Sequence, residues 1–154
     1  MVFIGPCASK KLEASRRTIR SDVDFVITFE ELTGMFEARG ILLEEIKAMD
    51  EMQDATGAGR GYGVAGGVAG AIEECIKTYY PETEVKIEHA EGLTECKKML
   101  LLAKAGRKNG CLIEGMACPG GCVAGAGTNI AIAQAAKEVA KFKAQAKENV
   151  PKEN

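Results

Sequence analysis

Two cysteines stand four positions apart on a turn that is almost entirely glycine. The segment runs from Glu114 to Gly127 and reads EGMACPGGCVAGAG, with thiols at Cys118 and Cys122. Thiolates are strong ligands for iron–sulfur clusters. Glycines let backbone N–H groups come close to cluster sulfurs, because no Cβ stands in the way. We interpret the two thiols as cluster or metal ligands; the alternative is a glycine-rich turn that carries two incidental thiols.

A third candidate ligand, Cys7, lies near the start of the chain. Pro6 precedes it and Lys10 follows three positions later, in a locally basic segment. A nearby ammonium group lowers the pKa of a thiol and so favours the thiolate. Such a segment suits a bound group of negative charge. The alternative is a buried thiol at the end of a strand, beside a solvated basic face, and the residues alone leave both open.

The remaining cysteines lack the glycine or proline context of a cluster turn. Cys75 and Cys96 fall inside predicted helices, and Cys111 begins a predicted strand. We interpret them as core thiols, since an unliganded cysteine behaves as a small apolar residue. A cubane cluster normally takes four thiolates, so the fourth ligand is expected to come from outside this chain.

Two further features could suggest a site but do so weakly. A GxGxxG pattern runs from Gly61 to Gly66, yet no strand precedes it, as a dinucleotide site would require. We interpret it as a glycine loop that closes over a buried cofactor, with N–H groups of the following helix as donors; close packing of loop and helix is the alternative. His89 is the only histidine and lacks metal-ligand spacing, which favours a structural role.

Composition narrows the classes of function. The 154 residues amount to about one domain. The formal net charge is −2 and no basic block stands out, which argues against a nucleic-acid partner. No apolar run approaches the ~20 residues of a transmembrane helix, so no membrane partner is expected. Without a signal-peptide pattern, the six cysteines indicate a reducing, cytoplasmic compartment.

Strands alternate with helices, which predicts the α/β class with a mainly parallel sheet and flanking helices. The predicted strands are 2–4, 24–27, 84–89 and 111–114, and the predicted helices are 29–39, 42–52, 67–79, 93–105 and 128–147. The strands near the start, 2–4 and 24–27, look buried. Sites in such sheets form at the carboxyl ends of strands, where Cys7 and Cys118 both fall, so we expect them to share one site.

These residues together resemble a known family, the FeFe (iron-only) hydrogenases, over the C-terminal half of their active-site domain. The family's second motif, MPCxxKxxE, appears here as GPCASKKLE from Gly5 to Glu13. Its third, ExMxCxxGCxxGGG, appears from Glu114 to Gly127, and its intervening glycine segment resembles 57–68. The resemblance implies an H-cluster: a 4Fe–4S cubane joined through a cysteine to a two-iron centre with CO and CN ligands.

The resemblance also implies a role for each motif residue by position. The implied cubane ligands are Cys7, Cys118 and Cys122. Cys122 would bridge to the two-iron centre, and Lys10 would donate a hydrogen bond to a cyanide ligand, which fits its charge. Glu13 would serve the cyanide ligands with it. Met116 and Tyr62 would lie beside the two-iron centre.

Three departures from the family pattern stand out. The first motif, TSCCPxW, which supplies the remaining cubane ligand and a proton-passing cysteine, is absent. Gly5 replaces the usual methionine, and Ala126 and Thr128 replace the usual glycine and glutamine. These changes favour a divergent, sensory-type member. The first strand also reads as the tail of a structure that begins earlier, so we expect the chain to be part of a longer domain.

The expected protein is a lobe, residues 1–148, of an iron-hydrogenase-like oxidoreductase, with a frayed tail at 149–154. The expected reaction is reversible reduction of protons to H2, with this chain inactive and apo in isolation. Its expected partners are the N-terminal half of the same domain, in cis or as another chain, and an electron carrier such as ferredoxin. The alternatives are an H2 or redox sensor, and a non-catalytic iron–sulfur assembly factor of the same fold, against which Lys10 and Glu13 count.

Overall fold

The computed structural model describes residues 1–16, 18, 22–47 and 55–152. It is an α/β structure that divides into two compact units. The first unit comprises Met1–Gln53 and Ala124–Ala131, and the second comprises Asp54–Val123 and Ile132–Asn154. The chain therefore enters the first unit twice, the second time directly after the cysteine turn.

The first unit is built on a parallel strand pair. Strand β1 (Val2–Ile4) pairs in parallel with β2 (Phe25–Ile27), with Ile4 opposite Ile27. Helix α1 (Ser9–Ser15) lies between them in sequence, and α2 (Phe29–Ala38) follows β2. The parallel pairing requires a crossover between the strands, and α1 lies in that crossover. The predicted burial is wrong for Val2, Ile4 and Phe25, which are 52%, 48% and 68% exposed.

Helix α2 begins with a capping box. The Thr28 hydroxyl accepts a hydrogen bond from the Glu31 N–H over 3.2 Å, and the Glu31 carboxylate accepts one from the Thr28 N–H over 2.9 Å. These contacts satisfy N–H groups that the first helical turn leaves unpaired. The helix ends before Gly40, whose positive φ of 65° suits a residue without a Cβ.

The second unit holds the other parallel pair. Strand β3 (Lys86–Glu91) pairs with β4 (Cys111–Met116) along their whole length, from Lys86 opposite Cys111 to Glu91 opposite Met116. The helices of this unit are α3 (Gly57–Arg60), α4 (Gly67–Tyr79), α5 (Leu93–Lys104) and α6 (Ile132–Ala144). Short 3₁₀ turns lie at Gly61–Gly63 and Cys122–Ala124.

The predicted class and parallel pairing are confirmed, although the described strands form two sheets of two. Helices α1 and α3 were not predicted. Of the helix predicted over 42–52, the described part shows a 3₁₀ turn at Leu43–Glu45, and 48–54 lie outside the described residues. Helix α6 begins later than predicted because 128–131 belong to the first unit, where the Asn129 amide donates hydrogen bonds to Phe29 O and Thr33 Oγ1.

The described core consists of small side chains. The buried apolar residues are Ala58, Ala69, Ala71, Ala90, Val123 and Ala135, all in the second unit. Large apolar side chains remain accessible, including Leu93 at 75% and Leu100 at 68%. Over the described ranges, no helix is both long and apolar enough to cross a membrane.

Two cavities flank β4 in the second unit. One, of about 230 Å³, lies against Val68, Ala69 and Ile72 and is lined by all five consecutive residues 112–116. Successive side chains of a strand point to opposite faces, so a cavity lined by consecutive residues runs along the strand's edge. The other, of about 420 Å³, lies between β4 and the α5 side chains Leu93, Cys96, Met99 and Leu100. Among the described strands, β4 pairs with β3 alone.

Candidate metal centre

The cysteine turn follows β4 directly, at the carboxyl end of the strand. Cys118 lies two residues after Met116, and Cys122 begins the 3₁₀ turn that follows. Between the thiols, Gly120 and Gly121 have φ values of 93° and 92°, which L side chains rarely adopt. The Gly121 N–H donates to the Cys118 carbonyl over 3.0 Å and closes the turn. The two glycines therefore set the direction in which the chain leaves Cys118 and approaches Cys122.

Neighbouring segments of the second unit hold this turn from outside. The Gly120 N–H donates to the Glu91 carboxylate over 2.6 Å, and the Gly120 carbonyl accepts a hydrogen bond from the Ala65 N–H over 3.1 Å. A Cβ on Gly121 would lie 2.6 Å from the Val64 carbonyl carbon. The turn thus packs directly on the backbone of residues 63–65, and this close approach, which sequence reasoning missed, accounts for Gly121.

Glu114 anchors the glycine loop to β4. Its side chain is buried, and its carboxylate accepts hydrogen bonds from the N–H groups of Gly66 at 2.5 Å, Val68 at 3.1 Å and Ala69 at 3.0 Å. Nδ1 of His89 lies 3.4 Å from the same carboxylate. These N–H groups begin α4. We predicted N–H groups of this helix as donors to a cofactor, and in this structure these three donate to Glu114 instead.

The environment of Glu114 keeps it ionised. Burial by itself raises the pKa of a carboxyl group, because it disfavours the charged form. Hydrogen bonds from the Ala69 and Gly66 N–H groups, with the contact to His89, outweigh burial and hold the pKa of Glu114 below its ordinary value of 4.5. A buried carboxylate with this many donors is a fixed structural charge rather than a group prepared to exchange protons near neutral pH.

Met116 and Tyr62 also lie in the second unit. Met116 ends β4, and its carbonyl accepts hydrogen bonds from the Gly92 N–H over 2.8 Å and from Cys96 Sγ over 3.6 Å. Its side chain is half-buried and lines the cavity at the edge of β4. Tyr62 lies in the 3₁₀ turn Gly61–Gly63 and is 49% exposed, directly ahead of the loop that packs on the cysteine turn.

Cys7 lies in the first unit, between the end of β1 and the start of α1. The Gly5 N–H donates to the Ile27 carbonyl over 3.1 Å, and the Pro6 carbonyl accepts from the Gly127 N–H over 2.9 Å. Gly127 is the last residue of the glycine motif that begins at Glu114, five positions after Cys122. The first unit therefore brings the end of one motif against the residue that precedes Cys7.

Lys10 and Glu13 form an ion pair on α1. Lys10 Nζ lies 2.7 Å from Glu13 Oε2, and both side chains are partly exposed. They line a small cavity of about 70 Å³ with Phe3, Val23 and Val26. In this arrangement the Lys10 ammonium already donates to a carboxylate. An ammonium group has three N–H donors, so Lys10 can donate to an anionic ligand while it keeps its contact with Glu13.

The positions of the cysteines show whether this chain by itself can hold a cubane. Cys118 and Cys122 share one turn in the second unit, and Cys7 lies in the first unit. Cys75, Cys96 and Cys111 are half-buried, and Cys96 Sγ also donates to the Ala90 carbonyl over 3.5 Å. Within the described ranges, no three His, Cys, Asp or Glu side chains lie close enough to hold a metal ion. The described residues alone therefore do not fit a four-thiolate cubane.

Two parallel strand pairs with flanking helices, and a glycine turn with two cysteines after β4, define an α/β protein with candidate thiolate ligands. Residues 1–126 match the family described as "Iron only hydrogenase large subunit, C-terminal domain". The chain therefore belongs to the iron-only hydrogenase large-subunit family.

Curated relatives agree with this assignment. The chain is 31% identical over 159 aligned residues to the periplasmic [Fe] hydrogenase large subunit of Nitratidesulfovibrio vulgaris, covering 82% of this chain and 38% of that protein. It is also 31% identical to iron hydrogenase 1 of Clostridium pasteurianum, covering 82% of this chain and 28% of that protein. The chain thus spans roughly a third of the length of these relatives.

Solved structures show the same fold. A variant of the [FeFe]-hydrogenase HydA1 from Chlamydomonas reinhardtii superposes with a TM-score of 0.67 at 21% identity, covering 96% of this chain and 55% of that one. A structure described as showing stepwise [FeFe]-hydrogenase H-cluster assembly gives a TM-score of 0.59 at 24% identity, covering 91% of this chain and 52% of that one. The chain spans about half of each.

Proposed function

We propose that this chain supplies part of an H-cluster-type site in an oxidoreductase that reversibly reduces protons to H2. The observation that carries the proposal is the Cys118–Cys122 turn, placed at the carboxyl end of β4 and held there by the Glu91 carboxylate and the Ala65 N–H. Membership of the iron-only hydrogenase family supports the same chemistry.

The proposed ligands to the 4Fe–4S cubane are Cys7, Cys118 and Cys122. When bound, the cubane would supply electron transfer, and the two-iron centre would supply the site of proton reduction. In our proposal, Lys10 donates a hydrogen bond to a cyanide ligand and Glu13 orients Lys10, a role supported by their 2.7 Å ion pair. Met116 and Tyr62 are proposed to flank the two-iron centre.

The fourth ligand and the proton donor are proposed to come from a polypeptide segment outside these 154 residues, either in cis or as another chain. Two features of the second unit support such a partner. Its described core is made of alanines and one valine, and cavities lie along the edge of β4 and between β4 and α5. Two strands alone rarely form a stable parallel sheet. Electrons would come from a carrier such as ferredoxin, in a reducing, cytoplasmic compartment.

A sensory role is the second candidate, and Gly5 favours it. A Cβ at position 5 would lie 2.9 Å from Cε1 of Phe3, so the Phe3 ring occupies space that a larger residue would need. The missing side chain changes one wall of the proposed pocket, which is a reason to expect altered turnover. An iron–sulfur assembly factor of the same fold is less favoured, because it has no cyanide ligands for Lys10 and Glu13 to serve.

Anaerobic reconstitution with iron and sulfide tests the ligand assignment. Bound iron, visible absorption and H2 evolution would be measured for the wild-type chain and for Cys118→Ser, Cys122→Ser and the matched control Cys75→Ser. We expect at most a labile cluster and no H2 from the chain alone, with cluster absorption reduced in the Cys118 and Cys122 variants and retained in the control.

Two results would contradict this proposal. Equal loss of iron from the Cys75 variant would remove the assignment of the turn as the ligand site. A stable, stoichiometric cubane with H2 turnover from the chain alone would remove the requirement for a partner. Infrared bands of CO and CN ligands in the matured complete assembly would separate a hydrogenase or sensor from an assembly factor, and H2 turnover rates would then separate the first two.

A further inference from the structure

Two consecutive residues of the glycine loop donate hydrogen bonds to different parts of the second unit. The Ala65 N–H donates to the Gly120 carbonyl inside the cysteine turn, over 3.1 Å. The next N–H, of Gly66, donates to the Glu114 carboxylate in β4, over 2.5 Å. The loop is therefore fixed at one residue to the strand that precedes the turn, and at the adjacent residue to the turn itself.

Glu114 holds this loop through three hydrogen bonds. Its carboxylate accepts three backbone N–H groups at the start of α4, a helix whose N-cap residue, Gly66, has no side chain to do so. An ionised carboxylate that is buried costs much free energy unless it is hydrogen-bonded in this way. Its removal would leave the Gly66, Val68 and Ala69 N–H groups without their acceptor, so the loop would lose its attachment to β4.

We propose that Glu114 is a positioning residue for the cysteine turn. By fixing Gly66 it holds Ala65 against Gly120 and keeps residues 63–65 packed on Gly121, so that Cys118 and Cys122 are presented in a fixed arrangement before any cluster binds. The inference rests on the proposed function in one respect, that these two thiols are the ligands.

Amide hydrogen exchange and thiol alkylation of the full 154-residue chain test the inference. Peptide-resolved mass spectrometry would follow the Ala65 and Gly121 amides, and iodoacetamide labelling would follow Cys118 and Cys122. Neither amide contacts Glu114. A change in the exchange rate of these amides would therefore show that the effect of the substitution reaches them through the loop. Glu88→Gln is the matched control, because the Glu88 carboxylate on β3 accepts its hydrogen bond from Lys108 Nζ and not from the glycine loop. Cys75, in α4, is the internal reference thiol.

We expect exchange of the Ala65 and Gly121 amides to accelerate about tenfold in Glu114→Ala, the effect of losing a hydrogen bond of ordinary net strength. Glu114→Gln keeps one acceptor oxygen and should lie between Glu114→Ala and wild type, as a conservative variant that rescues part of the positioning. The rate at which iodoacetamide alkylates Cys118 and Cys122 should change by several fold relative to the rate at Cys75. Glu88→Gln should match wild type. If Glu114→Ala does not fold, Glu114→Gln supplies the same comparison.

Unchanged exchange at Ala65 and Gly121 in the Glu114 variants would overturn the inference. An equal increase in the alkylation rate of Cys75 would also overturn it, because it would indicate general loosening of the unit. Iron binding separates this inference from the proposed function. If the turn loosens as expected but even the wild-type chain binds no iron, the positioning role stands and the proposed function fails. If the wild type binds iron and the Glu114 variants retain it equally, the positioning role fails and the function stands.

Discussion

The main-chain N–H of Gly127 donates a hydrogen bond to the Pro6 carbonyl over 2.9 Å, so the last residue of the glycine motif lies against the residue before Cys7. The Gly127 carbonyl in turn accepts from the Glu30 N–H over 3.2 Å, in the first turn of α2. One glycine thus joins the loop after β1 to the start of α2. The close approach leaves no room for a side chain, since a Cβ on Gly127 would overlap the Thr28 Cβ and lie 2.6 Å from its Cγ2.

Gly127→Ala should therefore destabilise the first unit by about 1–3 kcal/mol, the usual cost of inserting atoms into a packed contact. Thr28→Ser removes Cγ2 and keeps the hydroxyl that caps α2, so the double variant should recover part of the loss. Urea unfolding of the four proteins measures the coupling. Strict additivity of the two single effects would show that the Thr28 methyl group is not the obstacle.

Glu114→Gln should lower stability at neutral pH by about 1–3 kcal/mol, because three N–H groups, of which that of Ala69 is buried, lose a charged acceptor. The depressed pKa of Glu114 sets the sign of the pH dependence. Its contribution is present in full above its ordinary value of 4.5 and is lost as the pH falls through the lower pKa of the folded state. Wild type and variant should therefore converge in acid.

Urea midpoints at pH 7 and at several values below pH 4.5 measure that convergence. His89 is the titratable side chain that faces the carboxylate, so both proteins are compared again in a His89→Asn background. A stability difference that stays constant from neutral pH into strong acid would mean that Glu114 is not the group responsible.

The helices and strands with strong periodicity could be predicted from the sequence, and the long-range contacts could not. Helix α4 was predicted with its observed bounds, because Gly67 and Pro81 bracket a continuous apolar pattern. Glu114, which caps this helix, is 45 or more positions away in sequence from the N–H groups that it accepts, and no local pattern predicts such a contact. Helix α1 was missed because its seven residues are mostly polar and provide too little periodicity.

In the candidate site too, the features with a local sequence pattern could be predicted and the long-range contacts could not. Cys118 and Cys122 could be singled out because their spacing and glycine context are local. The requirement for glycine at position 121 could not be predicted. It comes from the backbone of residues 63–65, which a Cβ on Gly121 would overlap. The roles of Cys7, Lys10, Glu13, Met116 and Tyr62 remain predictions from the family resemblance.

Two helical glycines mark positions where the chain can be stabilised. A Cβ on Gly34 in α2 or on Gly70 in α4 would meet no atom within 4 Å. Gly34→Ala and Gly70→Ala should each raise stability by about 0.5–1 kcal/mol, the difference in helix propensity between the two residues. Gly67 in the same helix is the contrasting case, because its Cβ would lie 2.9 Å from the Gly61 carbonyl carbon. Gly67→Ala should be destabilising, and a gain in urea midpoint there would contradict the packing described for the loop.

Placing the methionine of the family pattern at position 5 tests whether Phe3 requires a glycine there. The Phe3 ring lies 2.9 Å from where a Cβ of residue 5 would stand, so Gly5→Met should destabilise the first unit by about 1–3 kcal/mol through overpacking. Phe3→Leu shortens the obstructing side chain, and the double variant should lose at least about 0.5 kcal/mol less than the sum of the single losses. Urea unfolding of the complete cycle gives that coupling energy. A coupling near zero would mean that the ring moves aside without cost, in which case Gly5 is not required by the packing of Phe3.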